Sequence, residues 1–276
     1  MFRYIKKHKS ISSIVLGLLF IAVFIMLVEV LRLVDMDATS WRFISGLQRL
    51  IFGIIQVCLF VWLFNKKSWH EVINAKGFGK GMLAGCGVIL FTIYYIPYLI
   101  FGAIGFEGLT PLLFIGIIFQ QITTGLWEEI AFRGFLIDGI MIKIGRKWYG
   151  RLIAAIFSVC IFGSLHMMGT NSFSQALDRF VTTGIMGLAF AAIYIYSHNL
   201  MAAMVLHAIF DIPANLINYV ADFTSHPIKV FLDNIFYPLY LILAILSIVF
   251  IVIAKPWEEK RETDSEHKVK LVSSDL

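Results

Sequence analysis

Long apolar runs separated by short polar interruptions dominate the chain, and their length is that of helices crossing a bilayer. A run of about 20 apolar residues spans roughly 30 Å of hydrocarbon as a helix. The pattern predicts spans at about 10–34, 44–64, 80–104, 111–140, 151–168, 175–196, 199–221 and 235–254. The fourth is longer than a crossing requires, so part of it should tilt or project into water. The fifth is short, and only Ser197-His198-Asn199 divides the sixth from the seventh. The expected fold class is all-α: a polytopic membrane protein with about eight transmembrane helices in one bundle.

Composition agrees. Of 276 residues, 59% are hydrophobic and 15% charged, against roughly 25% charged in soluble domains. The expected organisation is one membrane-embedded helical domain over 1–254 and a polar cytosolic tail over 255–276. That tail (EEKRETDSEHKVK and onward) has the composition of a disordered segment. Cys58, Cys86 and Cys160 each stand alone in an apolar stretch. They make neither a C-x-x-C pair nor a disulfide framework, and are expected to be buried small hydrophobes.

The net charge of +5 is a topology signal here and implies no nucleic-acid partner. Arg3, Lys6, Lys7 and Lys9 precede the first span, and Lys66, Lys67, Lys76 and Lys80 separate the second from the third. Lys143, Arg146, Lys147 and Arg151 separate the fourth from the fifth, and Lys255, Lys260, Arg261, Lys268 and Lys270 follow the last. The alternate loops carry only scattered charges such as Arg42, Arg179 and Lys229. Cytoplasmic loops are enriched in Lys and Arg, so both termini are expected in the cytosol, with the protein in the cell membrane. The first run ends at Glu29-Val-Leu-Arg32 without a small-residue cleavage site, which favours an uncleaved anchor over a signal peptide. Gly81 and Gly85 give a small-x-x-x-small spacing that marks close helix packing.

Several polar groups break the apolar pattern inside predicted spans. The fourth contains Glu128, Glu129 and Arg133. A charge at mid-bilayer costs roughly 2.5–3.5 kcal/mol, so three unpaired would cost about 8–10 kcal/mol. Such groups face the bundle interior and mark working sites. Glu129 and Arg133 are four apart and can pair on one helix face. Glu128 points about 100° away and has Phe132 at its i+4 position, so it is the free carboxylate. The fifth span carries His166 after Phe162-Gly-Ser-Leu, and the seventh carries His207-Ala-Ile-Phe-Asp211. The latter spacing sets imidazole and carboxylate on one face. Counted from the cytosolic ends at 1.5 Å per residue, all four groups lie about 12–22 Å deep, so one polar site could hold them.

Carboxylate and imidazole meeting at a water can generate a nucleophile. Glu128 would act as general base, His166 would orient the water or relay its proton, and His207 would donate to an oxyanion with Asp211 behind it. The outcome is amide hydrolysis without a covalent intermediate. H-E-x-x-H and G-x-S-x-G are both absent. Ser164, two residues from His166, faces another direction. No cofactor is expected, with zinc held by His166, His207 and a carboxylate as the alternative.

Glu128-Glu129-x-x-x-Arg133, Phe162-x-x-x-His166 and His207-x-x-x-Asp211, in this order and each on a predicted span, resemble the three motifs of the CPBP family. That family holds CAAX prenyl endopeptidases and bacteriocin-processing or bacteriocin-immunity (Abi) proteins. Asn199-Leu ahead of His207 also resembles its third motif region. The resemblance implies an eight-helix membrane fold and an intramembrane glutamic endopeptidase. By position, Glu128 and His166 would activate water, His207 and Asp211 would form the oxyanion side, and Glu129 and Arg133 would support the site. The family often has Asn where this chain has Asp211. An ionised Asp cannot donate a hydrogen bond, so Asp211 would instead hold His207 protonated. The implied partners are a membrane-associated peptide or lipidated protein and the bilayer, in peptide maturation or bacteriocin self-immunity. The alternatives are a non-catalytic membrane scaffold of the same fold, a zinc-dependent membrane protease, and a transporter using the same groups as a proton relay.

Overall fold

The computed structural model describes residues 7–65, 69, 72–102, 108–219 and 227–255. In chain order the helices are α1 Lys9–Arg32, α2 Ala38–Leu63, α3 Phe78–Ala84, α4 Cys86–Phe101 and α5 Pro111–Glu129. A π-helical segment, Ile130–Ile137, joins α5 to α6 Asp138–Ile144. Then come α7 Trp148–His166, α8 Phe173–Ser197, α9 Leu200–Leu216, a 3₁₀ turn Ile217–Tyr219 and α10 Pro227–Ile253. Among the described residues there is no strand, so the chain is all-α.

Short polar side chains start these helices. Asp37 accepts from the backbone N–H groups of Thr39 and Ser40 ahead of α2. Thr110 caps α5, with Pro111 at the first helical position, where its fixed φ and missing N–H do no harm. Asn199 caps α9 through Ala202 N–H. The link from α8 to α9 is only His198 and Asn199, and His198 takes a left-handed φ of 54° to make the reversal.

Six helices are long and apolar enough to cross a membrane: α1, α2, α7, α8, α9 with its 3₁₀ turn, and α10. The third expected span is a pair, α3 and α4, bent by 62° at Gly85, and counts as a seventh if the pair is one crossing. By length and composition this falls short of the expected eight. The missing one is 111–140, which is helical from Pro111 to Ile144 but carries Gln120, Gln121, Glu128, Glu129 and Arg133, and so fails as a purely apolar crossing. The protein remains a polytopic, all-α membrane protein.

The expected close packing at Gly81 and Gly85 is present. A Cβ at Gly81 would collide with Ala202 Cβ and one at Gly85 with Leu206 Cδ1, so α3 and α4 lie directly on α9. Helix α8 runs through the centre, with residues 189–195 all buried. Its Ala189, Ala191 and Ala192 let neighbours approach. The peripheral helices α1 and α10 present Leu19, Met26, Leu241 and Ile245 outward, as a lipid-facing surface would.

Two expectations change. Cys58 and Cys160 are exposed and Cys86 is half-buried, because each falls on the outward face of its helix. Arg42, Arg179 and Lys229 are not loop charges: all three lie within the first two turns of α2, α8 and α10. Lys229 pairs with Asp233 at 2.7 Å. The tail from 256 onward and the cations Arg3, Lys6, Lys66, Lys67, Lys260, Arg261, Lys268 and Lys270 lie outside the described residues.

Candidate active site

Helix α5 delivers Glu128 and Glu129 on its last turn, where the backbone widens into the wholly buried π segment. Such a segment re-aims the side chains that follow it and recurs at functional sites. Arg133 on this segment still reaches back to Glu129, with Nε 3.2 Å from Oε2 and both side chains 0% exposed. Arg133 also donates from Nη2 to the Gly187 carbonyl at 2.9 Å. Its guanidinium lies 5.2–5.7 Å from the rings of Phe132, Phe162 and Phe190, within cation–π range. A sealed cation is thus matched by one carboxylate, one carbonyl and three aromatic faces.

Helix α9 delivers His207. Its Nδ1 lies 2.7 Å from Glu129 Oε1. Its Nε2 lies 3.4 Å from Asp211 Oδ2 and 3.7 Å from Glu128 Oε2. Carboxylates facing both ring nitrogens are served by the imidazolium, which donates at both. The ring stacks flat on Phe190, with centroids 4.4 Å apart and planes 10° from parallel. Gly125 permits this meeting: a Cβ there would lie 2.7 Å from the Met204 carbonyl oxygen, and α9 would be pushed away from α5.

Helix α7 ends at His166. Its Nδ1 is 2.8 Å from the Phe162 carbonyl, so Nδ1 carries the proton and Nε2 is left as an acceptor. The Phe162 ring stands 4.6 Å from His166 and edge-on to Phe132 at 5.1 Å, linking His166 to the aromatic shell around Arg133. Glu128 has His207, His166, Asp211 and Arg49 as electrostatic neighbours.

Exposure grades the site. Glu129 and Arg133 are sealed and His207 is 4% exposed, whereas Glu128 and Asp211 keep 13% and 21%. The two outer carboxylates and the half-buried His166 are therefore the groups that water or substrate can reach.

The structure brings Glu128, His207 and Asp211 into contact, with His166 as a further neighbour of Glu128. The i,i+4 pairs Glu129–Arg133 and His207–Asp211 form as their spacing implies. Glu129 does more than expected, because its second oxygen holds His207. Ser164 is exposed, away from this cluster. Asn199 is a joint rather than a member: besides capping α9, its Nδ2 donates to the carbonyls of Asn74 and Lys76 at 2.8 and 2.7 Å. Among the described residues, no group of three or more His, Cys, Asp or Glu has the geometry to hold a metal ion.

Sequence reasoning missed a polar stripe on α2. Arg42, Ser45 and Arg49 recur at three- and four-residue spacing on one face. Arg42 Nη1 donates to Gln120 Oε1 and, at 3.2 Å, to Asn215 Oδ1, and Gln120 Nε2 donates to Ser45 Oγ. Arg49 has Glu128 and Asp211 among its electrostatic neighbours. The signal was the helical recurrence of Arg in an otherwise apolar run.

A family model described as type II CAAX prenyl endopeptidase Rce1-like matches residues 109–213, an interval that contains Glu128, Glu129, Arg133, His166, His207 and Asp211. Comparison with curated proteins returned no match, and comparison with solved structures returned none. With three ordered motifs gathered into one polar cluster and a family model laid over all three, residues 109–213 of this multi-pass membrane protein are similar to the CPBP family of CAAX proteases.

Proposed function

We propose that this protein is an intramembrane endopeptidase that hydrolyses a peptide bond in a membrane-associated peptide or prenylated protein, using water activated by Glu128 and His166. The observation that carries the reading is the 13%-exposed Glu128 carboxylate beside His207, with Asp211 on the same ring nitrogen, backed by the sealed Glu129–Arg133 pair. A scaffold has no use for a carboxylate kept accessible beside a charged imidazole.

In the proposed reaction Glu128 takes a proton from water while His166 Nε2 accepts from the same water and orients it. The hydroxide adds to the scissile carbonyl carbon, and the carbonyl π pair moves to oxygen. His207, held by Glu129 and Asp211, donates to that oxyanion. The intermediate collapses, the C–N bond breaks, and the proton held by Glu128 passes to the departing amine. Arg133, 3.2 Å from Glu129 Oε2, holds that carboxylate in place as the anchor of His207. No protein atom becomes bonded to substrate at any stage.

The cation-rich alternate loops support a cell-membrane protein with both termini in the cytosol. Peptide maturation and bacteriocin self-immunity are the processes proposed for the activity. A zinc-dependent reaction has less support, because both ring nitrogens of His207 already face carboxylates and leave no lone pair for a metal.

The test is product mapping by mass spectrometry. Purified protein in detergent is given a panel of prenylated and leader-peptide substrates, with and without chelator. Cleavage at one defined bond, indifferent to chelator, is the expected result. Activity lost to chelator and restored by zinc supports the metal-dependent reading. Folded protein that cuts nothing in the panel supports the scaffold.

A further inference from the structure

The two ends of the bundle differ in chemistry, and the site belongs to one of them. At the first end the basic connections gather. Arg151, near the start of α7, donates to the carbonyls of Arg146, Ile251 and Val252 at 2.8–3.0 Å. Asn199 ties the α8–α9 turn to Asn74 and Lys76 at the same end. Between this end and Glu128 lies packed core. Residues 129–141 are all buried, as are residues 189–195 of α8. At 1.5 Å per residue, 129–141 is about 18 Å of sealed chain.

The second end is polar down to the site. His166 closes α7, and the turn after it, 167–172, is exposed or half-buried throughout. Trp148, which opens α7, is 18 residues back, about 27 Å at 1.5 Å per residue. On α9, Asp211 and Asn215 continue from His207 in steps of four toward this second end, and Asn215 Nδ2 donates to the Asp211 carbonyl at 3.0 Å. Arg42 Nη1 bridges Asn215 Oδ1 and Gln120 Oε1. Gln120 in turn donates to Ser45 Oγ and accepts from Gln121 Nε2. Gln120 precedes Glu128 by eight residues, so the ladder runs about 12 Å along α5 away from the site. Polar side chains that only join helices are sealed between them. Here Arg42 and Asn215 are half-buried, and Asp211 and Glu128 keep 21% and 13% exposure. The ladder is therefore open to solvent along its α9 side, as polar groups lining a water-filled route through a bilayer are.

We infer that water and substrate enter from the end opposite the basic connections, which is the outer face of the membrane when those connections are cytosolic. The inference rests on the proteolytic reading and the orientation proposed above. The substrate is then a peptide whose scissile bond has already crossed the bilayer: an exported peptide, or the outward part of an anchored precursor. A lipidated tail confined to the cytosolic leaflet is not a substrate.

The test uses the full-length protein in sealed vesicles prepared from cell membranes, right-side-out and inside-out. With Cys58, Cys86 and Cys160 replaced by alanine, three single variants meet a charged, membrane-impermeant thiol reagent. They are Asn171→Cys in the α7–α8 turn, Lys147→Cys in the basic α6–α7 turn and Asn215→Cys in the ladder, with unfolding midpoints as the check on folding. Asn171→Cys and Asn215→Cys should label only in right-side-out vesicles, and Lys147→Cys only in inside-out ones. A polar leader peptide added outside should be cleaved by right-side-out vesicles and at least about tenfold more slowly by inside-out ones until detergent opens them, because a polar backbone does not cross hydrocarbon. Cleavage by sealed inside-out vesicles at a comparable or higher rate overturns the inference and leaves the protease reading intact. Labelling of Asn171→Cys or Asn215→Cys in inside-out vesicles does the same. If nothing is cleaved even in detergent, the protease reading fails and labelling still decides. Asn215→Cys reached only from the Asn171 side sustains the entry route, and Asn215→Cys reached from neither side overturns it.

Discussion

Replacing Glu129 with alanine should damage the fold more than any other single change at the site. The carboxylate is 0% exposed and serves two cations, Arg133 at 3.2 Å and His207 at 2.7 Å. Removing one partner of a buried pair costs about 3–5 kcal/mol, chiefly from the charge left behind. At 2–4 °C per kcal/mol for a domain of this size class, the midpoint should fall by roughly 6–20 °C. Arg133→Met alone should cost less, since Glu129 keeps His207 at 2.7 Å as its remaining cation. The double variant Glu129→Gln/Arg133→Met removes both charges, keeps the volume under Phe132, Phe162 and Phe190, and retains an acceptor for His207 Nδ1. Replacing buried pairs by neutral groups of similar size is often nearly neutral, so the double variant should lie within about 1–2 kcal/mol of wild type. Its hydrolysis should nevertheless stay low, because His207 has lost a charged anchor. The assay is thermal unfolding in one detergent for wild type, Glu129→Gln, Arg133→Met and the double variant, analysed as a double-mutant cycle. Additive losses, with the double variant worse than either single one, would refute the description of this pair as a mutually compensating buried unit.

Further expectations attach to neighbouring groups. Asp211→Asn should lower turnover while leaving the midpoint near that of wild type, because Asp211 is 21% exposed and acts on His207 Nε2 at 3.4 Å; unchanged turnover would reduce Asp211 to simple hydrogen bonding. His166→Ala should lower turnover by roughly 10²–10⁴-fold with little change in peptide binding, whereas a loss confined to KM would make it a substrate contact. Asn199→Ala removes the α9 cap and the bonds to Asn74 and Lys76, a cost of about 2–3 kcal/mol visible in unfolding, with the rate per folded molecule preserved.

The membrane-embedded, all-α character was legible because desolvation of long apolar runs outweighs every other local signal. Among the described residues all eight expected spans correspond to helical segments, with ends displaced by up to eight residues. The Glu129–Arg133 and His207–Asp211 pairs were legible for a related reason: spacing of four fixes neighbours on a helix whatever surrounds it. What the pattern could not carry was tertiary. The contact between His207 and Glu129 joins residues 78 positions apart, and nothing in either helix alone announces it. The π segment after Glu129 has no local breaker such as proline, and the bend at Gly85 looked like one more small residue in an apolar run. Arg42 was read as a loop charge because the second span was expected to begin at 44, whereas Asp37 caps that helix six or seven residues earlier. That displacement hid the stripe that also holds Arg49. Outward-facing Cys58 and Cys160 show the limit of composition in lipid, where an apolar residue is at home on the outside of the bundle too.

The central claim is that Glu128 is the base that activates water. The most direct measurement is the single-turnover rate of Glu128→Gln against wild type on one cleavable peptide, at equal folded fraction and saturating enzyme. Glutamine keeps the shape and an acceptor oxygen but cannot take the proton, so the rate should fall by at least about a hundredfold with binding and unfolding midpoint preserved. A rate within twofold of wild type would contradict the account.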